Sequence, residues 1–407
     1  MQAEQQQNTI VSDIFEKCSN FDDAQVIRDQ GIYPFFLPIS SELGDEVVID
    51  GKRVIMIGSN NYVGLVDDPR VKEAAVEATR KYGSGCTGSR FLNGTIDLHL
   101  ELERRLAEFM GKEAALVFST GFQANLGAIS CLGGKSDTLI IDRSGHACLI
   151  DGCRLSHSRT IKCKHNDMQD LERVLKNVTG ASQRGGILVI VDGVYSMEGD
   201  ITPLPKLVKL ANQYGARLFV DDAHAIGVIG ENGSGTASHF GLVDEVDITS
   251  GTFSKSFASL GGFIAADASV IEYVKHVGRS MIFSASIPPA NAAAVLKALE
   301  IIINEPERRE KLWHNAHKMQ RELQTMGFDI GDTETPIIPI IVGDSGLTLT
   351  FWRRLFDNGV FTNAIISPAV PADRAMLRTS YTATLTDEQL DIVLEKLQRI
   401  GKELGVI

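Results

Sequence analysis

Lys255 stands among small hydroxylated residues, Thr252, Ser254 and Ser256, in the stretch GTFSKSFASLGGF (251–263). Upstream lies the apolar run RLFVDD (217–222), which carries Asp221, with His224 three positions after it. A lysine that forms a Schiff base needs a shielded setting that lowers its pKa, and the neighbouring hydroxyls and glycine amides could seat a cofactor phosphate. A carboxylate at the end of a buried strand is a suitable partner for a pyridinium nitrogen, because it keeps that ring protonated and a better electron sink. Taken alone, Lys255 could equally be a solvated lysine and Asp221 a helix N-cap. The two together in this order are harder to explain that way.

Such residues must be carried by elements that bring them together. The chain has 407 residues, enough for two or three hydrophobic cores, and its 43% hydrophobic and 23% charged residues are those of an ordinary soluble globular protein. A net charge of −12 argues against a nucleic-acid partner, which needs a basic face. The six cysteines form no CxxC pair and read as reduced thiols of a cytoplasmic protein. The start, MQAEQQQNTI, lacks the features of a signal peptide, and no apolar run has the length of a membrane span, while peripheral contact at the inner membrane is left open.

Residues 1–58 read as an N-terminal arm with aromatics at Tyr33, Phe35 and Phe36, of the kind that crosses a dimer interface. Helices are expected over 67–82, with an early Pro69 and a stop at Gly83, and over 98–111, ending on Gly111. Continuous apolar runs at 114–120, 137–142, 186–192, 217–222, 246–251 and 261–267 alternate with helical segments. Runs that do not alternate with polar residues indicate strands covered on both faces, hence a mainly parallel sheet. The expectation is a large α/β domain over 59–290. A smaller α+β domain over 291–407 would hold strands at 336–343, 359–365 and 374–381 and a last helix opened by the capping box Thr386-x-x-Gln389. Open sheets bind ligands beyond their carboxyl ends. Asp142 and His146, Asp192 and Ser196, and the turn Ser119–Phe122 all fall at such positions, and the helix after Gly121 could hold a phosphate at its N-terminus.

Five motifs, SNNYVGL (59–65), GSGCTGSRFLNGT (83–95), GVYSMEGD (193–200), VDDAHAIGVIG (220–230) and GTFSK (251–255), make the chain similar to the α-oxoamine synthases, pyridoxal-phosphate (PLP) enzymes of fold type I. The resemblance runs from about Gly58 to the C-terminus. It implies that Lys255 carries the Schiff base with PLP, that Asp221 pairs with the pyridine nitrogen, that His224 contacts the ring hydroxyl and that His146 stacks on the ring. It further implies that Gly121, Phe122, Thr252 and Ser254 bind the phosphate, and that Ser196 lies near the ring hydroxyl and the substrate. Ser284 or Ser286, in FSASIPP, would add a hydroxyl from a second subunit of a homodimer. Arg378 matches the arginine that grips the amino-acid carboxylate, with Asn60 or Asn61 assisting and Arg374 as a rival. The family pattern has a His where this chain has Leu385, which puts any role of that His in doubt. No metal ligand set is evident; His314 and His317 lack a third partner.

Phe253-Ser254-Lys255-Ser256 resembles the soluble bacterial branch that joins L-serine to a long-chain acyl-CoA such as palmitoyl-CoA, losing CoA and CO2 to give a 3-keto sphingoid base. Branches using glycine or alanine more often show Leu followed by Gly or Ala before the lysine. The alternatives are such a branch, or a catalytically silent partner that scaffolds an active subunit. Retention of Lys255, Asp221, His146 and His224 argues against the silent partner.

Overall fold

The computed structural model describes residues 13–180 and 185–407. Two strands, β1 (Glu46–Ile49) and β2 (Lys52–Met56), form a hairpin ahead of the main body. The expected arm therefore contains regular structure at its end, and its residues 1–12 lie outside the described residues.

The main body is a seven-stranded sheet of β3 (Ala114–Phe118), β4 (Thr138–Asp142), β5 (Arg159–Cys163), β6 (Ile187–Asp192), β7 (Arg217–Asp221), β8 (Ile248–Thr252) and β9 (Gly262–Ala266). Its spatial order is β3-β9-β8-β7-β6-β4-β5, and β9 alone runs antiparallel to its neighbours. Alternation along each strand sends side chains to two separate cores. Leu139, Ile141, Ile190 and Phe219 pack on one face with the helix Gly121–Leu132, while Ile140, Val189, Val191, Leu218 and Val220 pack on the other with the helices Met168–Gly180 and Leu204–Tyr214. Burial on both faces explains the unbroken apolar runs of the sequence.

The expected helices are Pro69–Tyr82, capped by the Asp68 side chain, and Asp97–Met110, closed by Gly111 at a φ of 64°. The strand β5 was not foreseen: RTIKC lies at the sheet edge, where Arg159, Thr160 and Lys162 are exposed and break the apolar run.

The C-terminal part holds β10 (Ile337–Gly343), β11 (Val360–Phe361), β12 (Asn363–Ile365) and β13 (Ala375–Ser380). The single strand expected over 359–365 is two. β11 pairs with β2, and β12 with β13, so the chain changes sheet at Thr362. One core joins Val47, Val54 and Ile57 to Trp352, Leu377 and Leu397, so the β1–β2 hairpin packs with the C-terminal sheet. The last helix, Asp387–Glu403, opens on the Thr386–Gln389 capping box, as its sequence requires. No helix among the described residues is long and apolar enough to cross a membrane.

Candidate active site

The carboxyl ends of β4, β6, β7 and β8 meet along one edge of the sheet. Asp192 and Asp221 are register partners there, with Ser250 next in line. Asp221 is held on both oxygens: Oδ1 accepts the Ala223 N–H at 3.0 Å and Oδ2 accepts Asn125 Nδ2–H at 2.7 Å. Asp192 Oδ2 accepts the His146 N–H at 3.1 Å, and burial beside the Asp221 charge pushes the Asp192 carboxyl well above the usual range. His146 caps the helix Ala147–Leu155. Its Nδ1 faces both the Cys148 N–H, at 3.3 Å, and the Cys148 thiol, at 2.8 Å.

His224 is buried, with Nδ1 at 2.7 Å from the Tyr62 hydroxyl. Burial, followed by the positive charges of Lys255 and Arg378, holds its pKa far below the ordinary value, so the ring is neutral at pH 7.

Lys255 follows β8 in a loop pinned on both sides. Phe253 and Phe257 are buried and meet edge to face at 5.5 Å, Phe253 stacks on Phe263, and Ser256 Oγ–H donates to the Ile226 carbonyl at 2.7 Å. The small residues flanking Lys255 thus anchor its loop while the lysine points elsewhere. Its ammonium has no hydrogen bond or ion pair among the described residues. Burial lowers its pKa to about 8, against the pull of the Asp221 carboxylate.

The first turn of the helix Gly121–Leu132 lies against Thr252. Thr120 Oγ1 caps the Gln123 N–H at 3.1 Å, and a Cβ on Gly121 would stand 2.8 Å from Thr252 Oγ1, so only glycine fits. The Gly121 and Phe122 amides have no hydrogen-bond partner among the described residues. Thr252 Oγ1 and Ser254 Oγ lie 2.9 Å apart beside them. In the loop 283–288, Ser284 Oγ accepts Gln123 Nε2–H at 3.0 Å, within reach of this helix start, whereas Ser286 Oγ–H donates to the Gly88 carbonyl at 3.2 Å.

Arg378, in β13, is only 4% exposed and has no carboxylate partner among the described residues. It donates through Nε to the Ser196 carbonyl at 2.5 Å and through Nη2 to Asn60 Oδ1 at 3.0 Å. Asn61 is engaged otherwise: its Oδ1 takes the Leu65 and Val66 N–H groups. Arg374 is exposed in the turn before β13, and no hydrogen bond joins its side chain to Asn60 or Ser196 among the described residues. A buried guanidinium bonded only to neutral oxygens lacks its counter-charge, and so invites an anionic ligand. Beside Lys255 opens a groove of about 520 Å³ whose apolar wall includes Ile39, Leu43, Val47, Met56, Leu260 and Phe361.

Sequence reasoning did not single out Tyr62, Asn125 or Cys148, each of which holds another site residue by a hydrogen bond. Tyr62 lies inside SNNYVGL, and Asn125 lies one turn beyond Gly121 on the same helix. Those positions were the only signals available.

The sequence profile described as aminotransferase class I and II matches residues 52–397. Serine palmitoyltransferase of Sphingobacterium spiritivorum is 53% identical over 391 residues, 96% of this chain and 97% of the relative. An 8-amino-7-oxononanoate synthase of Thermoanaerobacter pseudethanolicus is 45% identical, across 94% of this chain and 96% of its own. Among solved structures, serine palmitoyltransferase from S. paucimobilis with bound PLP–myriocin aldimine superimposes with a TM-score of 0.93 at 37% identity, covering 97% of this chain and 100% of that one.

Proposed function

The chain belongs to the class I and II aminotransferase family, and from that premise we propose that it condenses L-serine with a long-chain acyl-CoA, palmitoyl-CoA above all. CoA and CO2 leave, and the product is 3-ketodihydrosphingosine, as in the first step of sphingolipid synthesis. The observation that carries this reading is the buried, carboxylate-free Arg378, bonded to Asn60, which lines one apolar groove together with the unpaired Lys255 amine. An amino-acid carboxylate supplies the charge Arg378 lacks, and an acyl chain suits the groove.

Pyridoxal phosphate fits the residues present. The unbonded Gly121 and Phe122 amides at a helix start, with Thr252 and Ser254 beside them, form a cradle that a Cβ on residue 121 would fill, and they would hold the phosphate. Asp221, fixed by Asn125 and Ala223, would hold the proton of the pyridine nitrogen, with the neutral His224 at the ring hydroxyl and His146 on the ring face. Bound there, the cofactor supplies the electron sink that a carbanion at serine Cα requires.

The chain's own groups do the rest. Arg378 anchors the serine carboxylate and Asn60 keeps the guanidinium in place, which fixes where Cα stands relative to Lys255. Lys255 Nζ, with a pKa of about 8, takes the Cα proton near neutral pH. The Cα–acyl bond forms as the thioester C–S bond breaks and CoA departs. The Cα–carboxylate bond then breaks as CO2, and Cα regains a proton. The groove beside Lys255 holds the acyl chain out of water.

This reading separates from the 8-amino-7-oxononanoate synthase type of reaction by substrate. The PLP-loaded protein is given L-serine, glycine or L-alanine with acyl-CoAs of rising chain length, and CoA thiol release is followed. Serine with long chains is expected to be fastest; preference for alanine with a short or carboxylated acyl group would overturn the assignment. We further propose a cytoplasmic homodimer, supported by the free state of all six cysteines and by the exposed Phe36 of the N-terminal segment. An active monomer in light scattering would refute the dimer.

A further inference from the structure

A continuous line of side-chain hydrogen bonds runs from Asp221 to His146, and its direction is set from the carboxylate end. Asp221 Oδ2 can only accept, so the Asn125 atom 2.7 Å away is the amide nitrogen. The same Nδ2 lies 3.1 Å from Cys148 Sγ, so the sulfur accepts there. Cys148 Sγ is 2.8 Å from His146 Nδ1, which also receives the Cys148 backbone N–H at 3.3 Å. A ring nitrogen that accepts a backbone N–H carries no proton, so the thiol is the donor in the S–N contact.

We infer that Cys148 is a positioning residue that fixes the tautomer of His146, its thiol donating to Nδ1 and leaving the ring proton on Nε2, the nitrogen without a hydrogen-bond partner among the described residues. The consequence rests on the proposed function: His146 then meets cofactor and substrate as an Nε2–H donor of fixed orientation. The sequence marked HACLIDG only for its histidine. Cys148 is 2% exposed, and burial pushes its thiol far above the ordinary cysteine range, so it stays protonated and able to donate throughout the working pH range. Its neighbour Asn125 has Oδ1 buried without a partner, as expected of an amide whose orientation is dictated by its nitrogen.

The test is nitrogen-15 NMR of the full-length, PLP-loaded protein with labelled histidine imidazoles, His146 being assigned by the signal lost in His146→Gln. Wild type is expected to show the Nε2–H tautomer of His146 alone. Cys148→Ala and the space-filling Cys148→Val should give a mixture of tautomers, and Cys148→Ser, which keeps a donor, should restore the single form. An Nδ1–H tautomer in wild type, or an unchanged tautomer in the folded Ala or Val variant, overturns the inference. The KM for L-serine should rise about three- to tenfold in the same variants, the effect of one neutral hydrogen bond, with that for acyl-CoA unchanged. A changed tautomer with an unaltered serine KM supports the inference and counts instead against the part given to His146 in the proposed reaction.

Discussion

The Arg378 guanidinium donates to the carbonyl oxygen of Ser196, and this one bond joins β13 of the C-terminal sheet to the loop that leaves β6 of the central sheet. The proposed carboxylate anchor and the packing of the two sheets therefore meet at a single side chain.

Replacing Arg378 by Ala should weaken L-serine binding by about 2–4 kcal/mol, the range for a charge-assisted pair lost from a desolvated site, and leave acyl-CoA binding little changed. Arg378→Lys should recover only part, because an ammonium cannot bond Ser196 and Asn60 through a planar fork. Titration of the cofactor absorbance with serine reads the effect. The exposed Arg374→Ala is the control; a larger loss there would mean that the carboxylate is held elsewhere.

Lys255 should capture PLP with a pH dependence of its own. A pKa lowered to about 8 means that the reactive neutral amine grows in as pH rises through about 8 and is fully formed above it. An ordinary lysine would keep gaining to about 10.4. The rate at which the cofactor-free protein forms a borohydride-stable adduct, located on residue 255 by mass spectrometry, gives the midpoint. Lys255→Ala should lose adduct and turnover with an unchanged circular dichroism spectrum. An adduct on another lysine would contradict the assignment.

His165 bridges Asp142, at 3.2 Å from Nδ1, and Asp200, at 3.0 Å from Nε2, and so ties the loop 193–200 to the end of β4. Burial pulls its pKa down, but the hydrogen bonds and charges of the two aspartates outweigh it and raise the value to about 10. The folded state therefore keeps a proton that the unfolded chain releases near pH 6.5. The stabilisation is full below about 6.5 and fades as pH rises through about 10. In urea unfolding, wild type should exceed His165→Gln most at about pH 6, with the gap closing toward pH 10; a gap that widens with pH would contradict this account.

The placing of Lys255, Asp221, His224 and His146 at one edge was legible in the sequence because they fall at or just after strand ends in a sheet buried on both faces, where apolar runs announce the strand and its terminus together. Asn125 and Cys148 were not, since each acts through hydrogen bonds to another side chain that no local pattern records. That Asn60 bonds Arg378 while Asn61 is committed to the amides of Leu65 and Val66 appears only in the tertiary structure. The pairing of Ile55 with Val360 is equally invisible locally, because the two strands are joined only through the whole intervening fold. Thr362 marks a further limit: GVFTNAI reads as one strand, yet its halves satisfy different sheets.

The most direct measurement follows the serine carboxyl carbon. The PLP-loaded protein is given palmitoyl-CoA and L-serine labelled with carbon-13 in the carboxyl group, and the gas phase, free thiol and lipid product are analysed together. The account predicts labelled CO2 equal to the CoA thiol released, with an unlabelled long-chain amino ketone that keeps the serine hydroxymethyl group. Label retained in the product, or thiol release without labelled CO2, would contradict it.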